Sequence, residues 1–140
     1  MSLPTHLMLE IVTPERPLLS EKVDEVEVPG ADGYFGVLPG HTPLLASLQV
    51  GELWYRKGAE KSYLSVAFGF AEVMPDKVTI LARIAERAEE IDIERAEAER
   101  HRAESQLRTF VSLADFERAR VSLLKALVRL QVAGRARTRG

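Results

Sequence analysis

Every proline, and all but two of the glycines, fall within the first 75 residues of this 140-residue chain. From Asp76 to Ala133 there is neither. Gly and Pro punctuate chains with turns, and long helices exclude them. The two ends of the molecule therefore obey different backbone physics. A turn-rich fold is expected first, and long helix after it.

The first part reads as short strands. Leu7, Leu9 and Ile11 recur at a spacing of two, which places them on one face of a strand. Val26 and Val28 repeat the pattern, as do Leu64, Val66 and Phe68, and Val78, Ile80 and Ala82. Between them lie Pro29-Gly30, Asp32-Gly33, Pro39-Gly40, Lys57-Gly58 and Pro75-Asp76, all suited to turns. The last strand is expected to end near Arg83. No helical pattern interrupts these runs, which argues against a parallel α/β sheet. The expectation is an antiparallel β-sandwich or barrel over residues 1–84.

The second part, residues 85–140, reads as two helices in an antiparallel hairpin. From Glu86 to Arg108, 13 of 23 residues are charged, and the small ones are mostly Ala. This predicts a strong helix former with a thin apolar stripe. A break follows at Ser112–Asp115. Either Asp115 caps the next helix, or Ser112 caps it with Asp115 in the first turn. The second helix has a fuller stripe of Phe116, Ala119, Leu123, Ala126, Leu127 and Leu130, with Gly134 as its expected stop. Ala on one helix would face Leu on the other. Burying Ala contributes much less than the ~1.5–3 kcal/mol of a buried Leu. The hairpin is thus expected to be weakly held and able to detach or extend.

Composition excludes several classes. A net charge of −2 offers no general attraction to nucleic acid. The absence of Cys removes disulfides, thiolate chemistry and zinc-cysteine sites. No apolar run approaches a membrane span, and MSLPTHLMLEIV lacks the layout of a secretory leader, so a cytosolic protein without membrane insertion is expected. Gly30, Gly33 and Gly36 lead into another turn rather than a helix, which lacks the context of a phosphate loop. His6, His41 and His101 are scattered, with no metal-ligand spacing. No intrinsic enzyme, required cofactor or metal site is expected.

Three segments together resemble the epsilon subunit of F-type ATP synthase. They are Gly36-Val-Leu-Pro-Gly-His-Thr-Pro-Leu-Leu45; Gly69-Phe-Ala-Glu-Val73 with Asp76-Lys-Val-Thr-Ile-Leu-Ala82; and Ala85-Glu-Arg-Ala-Glu-Glu-Ile-Asp92 running into Arg95-Ala96. Ile11-Val-Thr-Pro-Glu15 matches the family's usual start. One departure is Phe68-Gly69-Phe70, where relatives usually carry Gly-Gly-Phe. Tyr34-Phe35 also stands where many relatives have an acidic residue implicated in the ring contact.

The resemblance implies a non-catalytic rotor-stalk subunit. It implies an N-terminal antiparallel β-sandwich over residues 1–84, docked on the gamma subunit and the c-ring, with Tyr34, Phe35, Pro39, Gly40, His41 and Pro43 at the interface. Its hairpin would be a mobile arm that blocks ATP hydrolysis when extended toward the catalytic alpha and beta subunits. Lys125, Arg129, Arg135 and Arg137 would carry that arm's positive charge. The segment Ile91-Asp92-Ile93-Glu94-Arg95-Ala96 resembles the motif of epsilon subunits that bind ATP as a regulatory ligand. On that pattern Glu86, Ile91, Asp92, Arg95, Ala96, Lys125 and Arg129 form the nucleotide site. The implied address is peripheral, on the cytoplasmic face of a bacterial plasma membrane. The residues taken alone also fit a stand-alone sandwich module with a helical partner-binding arm.

Overall fold

The computed structural model describes residues 3–139, with side chains described through residue 136. Seven strands come first: β1 (Leu7–Val12), β2 (Pro17–Val23), β3 (Glu25–Gly30), β4 (Gly33–Val37), β5 (Leu44–Lys57), β6 (Glu60–Met74) and β7 (Lys77–Arg87). A 3-10 turn (Ala88–Glu90) and two helices follow, α1 (Ile93–Thr109) and α2 (Leu113–Arg139). Strand β7 thus extends past Arg83. The chain divides into compact units of residues 1–86 and 87–140.

In the first unit the strand order is β2-β1-β7-β6-β5-β3-β4. The long strands β5 and β6 pair along nearly their whole length, and β3 pairs with β5 between Leu48 and Arg56. The result is the expected β-sandwich. The β1–β2, β3–β4, β3–β5 and β5–β6 pairs are antiparallel, while β1 and β7 run parallel, with Ile11 opposite Ile80. The period-two residues Leu7, Leu9, Ile11, Val26, Val28, Val78, Ile80 and Ala82 are all buried in one core.

Two expectations fail for local reasons. Pro29-Gly30 is not a turn: both residues pair within β3, and the chain reverses at Ala31 and Asp32. The Leu64, Val66, Phe68 face ends at Phe68, whose φ is +61°, followed by Gly69 at +118°. Inward residues switch from Leu64 and Val66 to Ala71 and Val73 across this point. Two successive positive φ values re-aim the strand, and only the second is carried by a residue that tolerates it freely.

An electrostatic clasp closes one end of the sandwich. Asp24, between β2 and β3, accepts from Gly58 N at 2.7 Å and pairs with His6 Nδ1 at 3.0 Å. Arg56 donates from Nη1 to Gly58 O at 2.8 Å and from Nε to Glu25 at 3.0 Å. The Gly58 N–H, with His6 and Arg56 in support, holds the Asp24 carboxyl below its ordinary range. A lowered carboxyl pKa stabilises the fold above the ordinary value, and that stability is lost as pH falls through the lowered one. Asp24→Asn should therefore be less stable than the native chain at about pH 7, with the gap closing as pH falls below the ordinary carboxylate range. Urea unfolding across that range measures it.

In the second unit, residues 86–92 do not join α1 as the charge pattern suggests. Asp92 is the N-cap of α1, its Oδ1 accepting from Arg95 N at 3.1 Å. Of the two capping schemes for α2, Ser112 is the cap, its Oγ accepting from Asp115 N at 3.1 Å. Gly134 does not stop α2, which runs through it.

The seam between the helices differs from the expected Ala-on-Leu contact. Its fully buried positions are Ala96 and Ala103 on α1, with Ala119, Ala126, Val132 and Ala133 on α2. Leu127 is 45% exposed. The alanines recur every seven residues on both helices, the repeat that keeps one face on a partner helix. Small side chains let the backbones approach closely, and the larger Leu127 is turned out of the seam.

Candidate functional site

Each unit carries one set of candidate residues. On the sandwich, the loop before β5 turns at Pro39-Gly40, where Gly40 has φ +88°. Gly40 N donates to Pro75 O at 2.7 Å, tying this loop to the β6–β7 turn. His41 N donates to Leu38 O at 3.2 Å, and its Nδ1 lies 2.6 Å from Thr42 O. These bonds hold the Gly36–Leu45 segment in one shape although Leu38, Gly40 and Pro43 are exposed.

Tyr34 and Phe35 point to opposite sides of edge strand β4. Phe35 packs against the core, and its ring lies close to Gly30. Tyr34 reaches across Pro29 and Gly51, and its hydroxyl oxygen accepts from Glu52 N at 3.2 Å. It remains 52% exposed.

Sequence spacing did not single out one exposed apolar feature of this unit. Leu45 on β5, Phe70 on β6 and Leu81 on β7 are 71%, 53% and 50% exposed. Phe70 and Leu81 point opposite to the core residues Ala71 and Ile80 beside them, and Leu45, paired with Glu72, shares the side of Phe70. Met8 on β1 shares that outer side. Large apolar side chains left exposed on one side of a sheet suit a contact surface. Alternation alone gave little signal, because these apolar side chains share the outer side with polar ones, among them Ser47, Glu72, Lys77 and Thr79.

On the hairpin, the proposed nucleotide residues have defined roles within the fold. Ile91 and Ala96 are buried. The Asp92 carboxylate caps α1. Arg95 donates to Glu99 Oε1 at 3.2 Å, and Arg129 donates from the other helix to Glu99 Oε2 at 3.1 Å. Two of the expected cations thus meet on one carboxylate. Lys125 is half-buried one turn before Arg129 on α2. Glu86 lies on β7, in the sandwich unit. Arg135 is half-buried near the end of α2, while the Arg137 side chain lies outside the described residues. Among the described residues no group of acidic or His side chains has a metal-binding arrangement.

Comparison with known proteins separates the same two parts. Residues 6–88 match the model of the ATP synthase delta/epsilon chain β-sandwich domain, and residues 89–134 match that of its long α-helix domain. The chain belongs to the ATP synthase delta/epsilon family. Among curated relatives of this family, the ATP synthase epsilon chain 2 of Syntrophotalea carbinolica is 50% identical over 92% of this chain and 94% of its own. The epsilon chain of Syntrophobacter fumaroxidans is 52% identical over 91% and 95%. Solved structures share the family's fold. The Euglena gracilis mitochondrial ATP synthase, in its OSCP/F1/c-ring assembly, holds a chain matched with a TM-score of 0.82 at 24% identity, covering 95% of this chain and 84% of that one. A chain in the Tetrahymena thermophila central stalk and c-ring matches at a TM-score of 0.67 and 13% identity, over 93% and 98%. No helix among the described residues is long and apolar enough to cross a membrane.

Proposed function

We propose that this family member is the epsilon subunit of the central stalk in an F-type ATP synthase. In this reading the sandwich docks on the gamma subunit and the c-ring. The hairpin is a regulatory arm that restrains ATP hydrolysis when it extends toward the catalytic subunits. The chain performs no catalysis itself. It sits peripherally on the cytoplasmic face of a bacterial membrane, held there through the complex.

The observation that carries this reading is the exposed apolar row of Leu45, Phe70 and Leu81. Such a row is costly in water and becomes favourable when a partner covers it, at roughly 25 cal/mol per Å² of apolar surface. The shaped Pro39-Gly40-His41 loop supplies polar groups beside it. The hairpin suits a two-state arm because its seam is largely Ala, so little apolar area holds it shut. ATP is the proposed regulatory ligand. Arg95, Lys125 and Arg129 supply donors for phosphate oxygens, and Asp92 and Ile91 flank the α1 N-terminus.

The test adds the chain to an ATP synthase catalytic sector stripped of its own epsilon subunit. Stoichiometric binding with reduced ATP hydrolysis is expected. Phe70→Glu should weaken binding by about 2 kcal/mol or more, as for a central interface aromatic. Failure of the native chain to bind would overturn the docking reading. Binding with unchanged hydrolysis would overturn the inhibitory one.

A further inference from the structure

The chain has no Cys, so its sulfur is confined to three methionine thioethers. Two of them, on Met8 and Met74, belong to residues that are 40% and 41% exposed. At that exposure each sulfur is open to a dissolved oxidant. Both residues lie in the sandwich unit. Met8 alternates with the core residues Leu7 and Leu9 on β1, and Met74 follows the core residue Val73 on β6. Both side chains therefore stand on the outer side of the sheet, with Phe70 and Leu81.

Strand pairing gathers them at one end of the candidate docking row. Met8 is paired with Lys77 across the β1–β7 ladder, and its N–H donates to Asp76 O at 2.9 Å. The turn Pro75-Asp76 joins β6 to β7 directly after Met74. Met8 and Met74 thus flank Lys77 from either side, about 10 Å apart at the usual strand spacing. Gly40 N of the Pro39-Gly40-His41 loop donates to Pro75 O in the same turn. The two thioethers fall between the apolar row and the shaped loop.

We infer that Met8 and Met74 place docking of the sandwich on gamma under redox control: peroxide converts their thioethers to sulfoxides on the free chain, and the oxidised face no longer assembles. The inference rests on the docking reading above and adds a regulation of that surface. In the step a sulfur lone pair attacks one peroxide oxygen, the O–O bond breaks, an S–O bond forms and water leaves. Sulfur loses two electrons and the peroxide gains them. The product is a polar group where the row needs an apolar contact. Covered by gamma without a donor, the new oxygen carries the cost of an unsatisfied buried acceptor. On the free chain it faces solvent. At Met8 the Ser20 hydroxyl, which already donates to Sδ at 3.9 Å, is placed to serve it. The fold therefore tolerates a change that the interface does not. Once gamma covers the row the sulfurs are shielded, so the control acts on assembly and not on the finished complex.

The test uses the full chain, dilute hydrogen peroxide and a bacterial gamma subunit. Peptide mapping should find one added oxygen on Met8 and one on Met74, with Met1 read separately. Binding to gamma should weaken about tenfold in the oxidised chain, the effect of one unsatisfied polar group at an interface. Urea unfolding of the oxidised sandwich should match that of the untreated one. Methionine sulfoxide reductases with a dithiol as reductant should restore binding. In Met8→Leu combined with Met74→Leu, affinity before and after peroxide should agree, whatever its starting value. Gamma bound beforehand should protect both sulfurs. Undiminished binding of a chain oxidised at both positions overturns the redox control. So do sulfurs that resist peroxide in the free chain, a loss of binding that comes with an unfolded sandwich, and peroxide sensitivity that persists in the double variant. Failure of the untreated chain to bind gamma overturns the docking reading itself, and the redox control with it.

Discussion

Gly69→Ala should unfold or severely destabilise the sandwich, by about 4 kcal/mol, summing backbone strain with an overpacked contact. Gly69 has φ +118°, where an L side chain is strained in any surroundings. A Cβ there would lie well inside contact distance of the Leu81 carbonyl oxygen and 3.0 Å from Ala82 Cα. Both obstacles are backbone, and Leu81 and Ala82 are fixed within β7, so neither can give way cheaply. Such a loss takes a large part of the 5–15 kcal/mol that stabilises a typical domain. Urea unfolding followed by Trp54 fluorescence measures it. Gly58→Ala is the control: its φ is also positive, but nothing lies within contact distance of an added Cβ. A smaller cost of about 1 kcal/mol is expected there.

Ala126→Leu should open the hairpin while leaving the sandwich intact. Ala126 is fully buried in the seam, and the added carbons can be housed only by moving the helices apart. Overpacking of this kind costs about 1–3 kcal/mol. For an arm held by so little apolar area, this shifts the population by one to two orders of magnitude at the upper end. Hydrogen exchange of α1 and α2 amides should accelerate accordingly, with β-sheet amides unchanged. Leu127→Ala provides the contrast. Simple helical spacing puts Leu127 in the seam, whereas the structure leaves it 45% exposed. Its removal should change exchange little.

These two substitutions fall where the sequence was readable and where it was not. Strand alternation located most of the core because one side of each strand must be buried: Leu7, Leu9 and Ile11 needed no further information. The switch of inward face at Phe68-Gly69 was hidden, because a positive φ leaves no trace in hydropathy when the first residue is Phe. The helical stripe misassigned Leu127 since apolarity favours burial, yet close helix approach selects the smallest side chain instead. Gly134 marked a stop that α2 ignores; one glycine costs a helix only about 1 kcal/mol.

The candidate sites divide similarly. Arg95 and Arg129 were legible as a cationic set, and the fold brings them together. Their shared partner Glu99 was one acid among many in a charged helix and became distinctive only across the seam. The apolar outer row of Leu45, Phe70 and Leu81 was concealed by its own composition. It falls in strands whose inward positions are equally apolar, so the contact face emerged once the sheet order was known.

The central claim is that this chain is the stalk subunit that joins gamma. Co-expression of the full chain with a bacterial gamma subunit, followed by size-exclusion chromatography with light scattering, tests it most directly. A stable one-to-one complex is expected for the native chain, lost in Phe70→Glu and retained in Glu99→Gln. Elution of the native chain free of gamma would contradict the account.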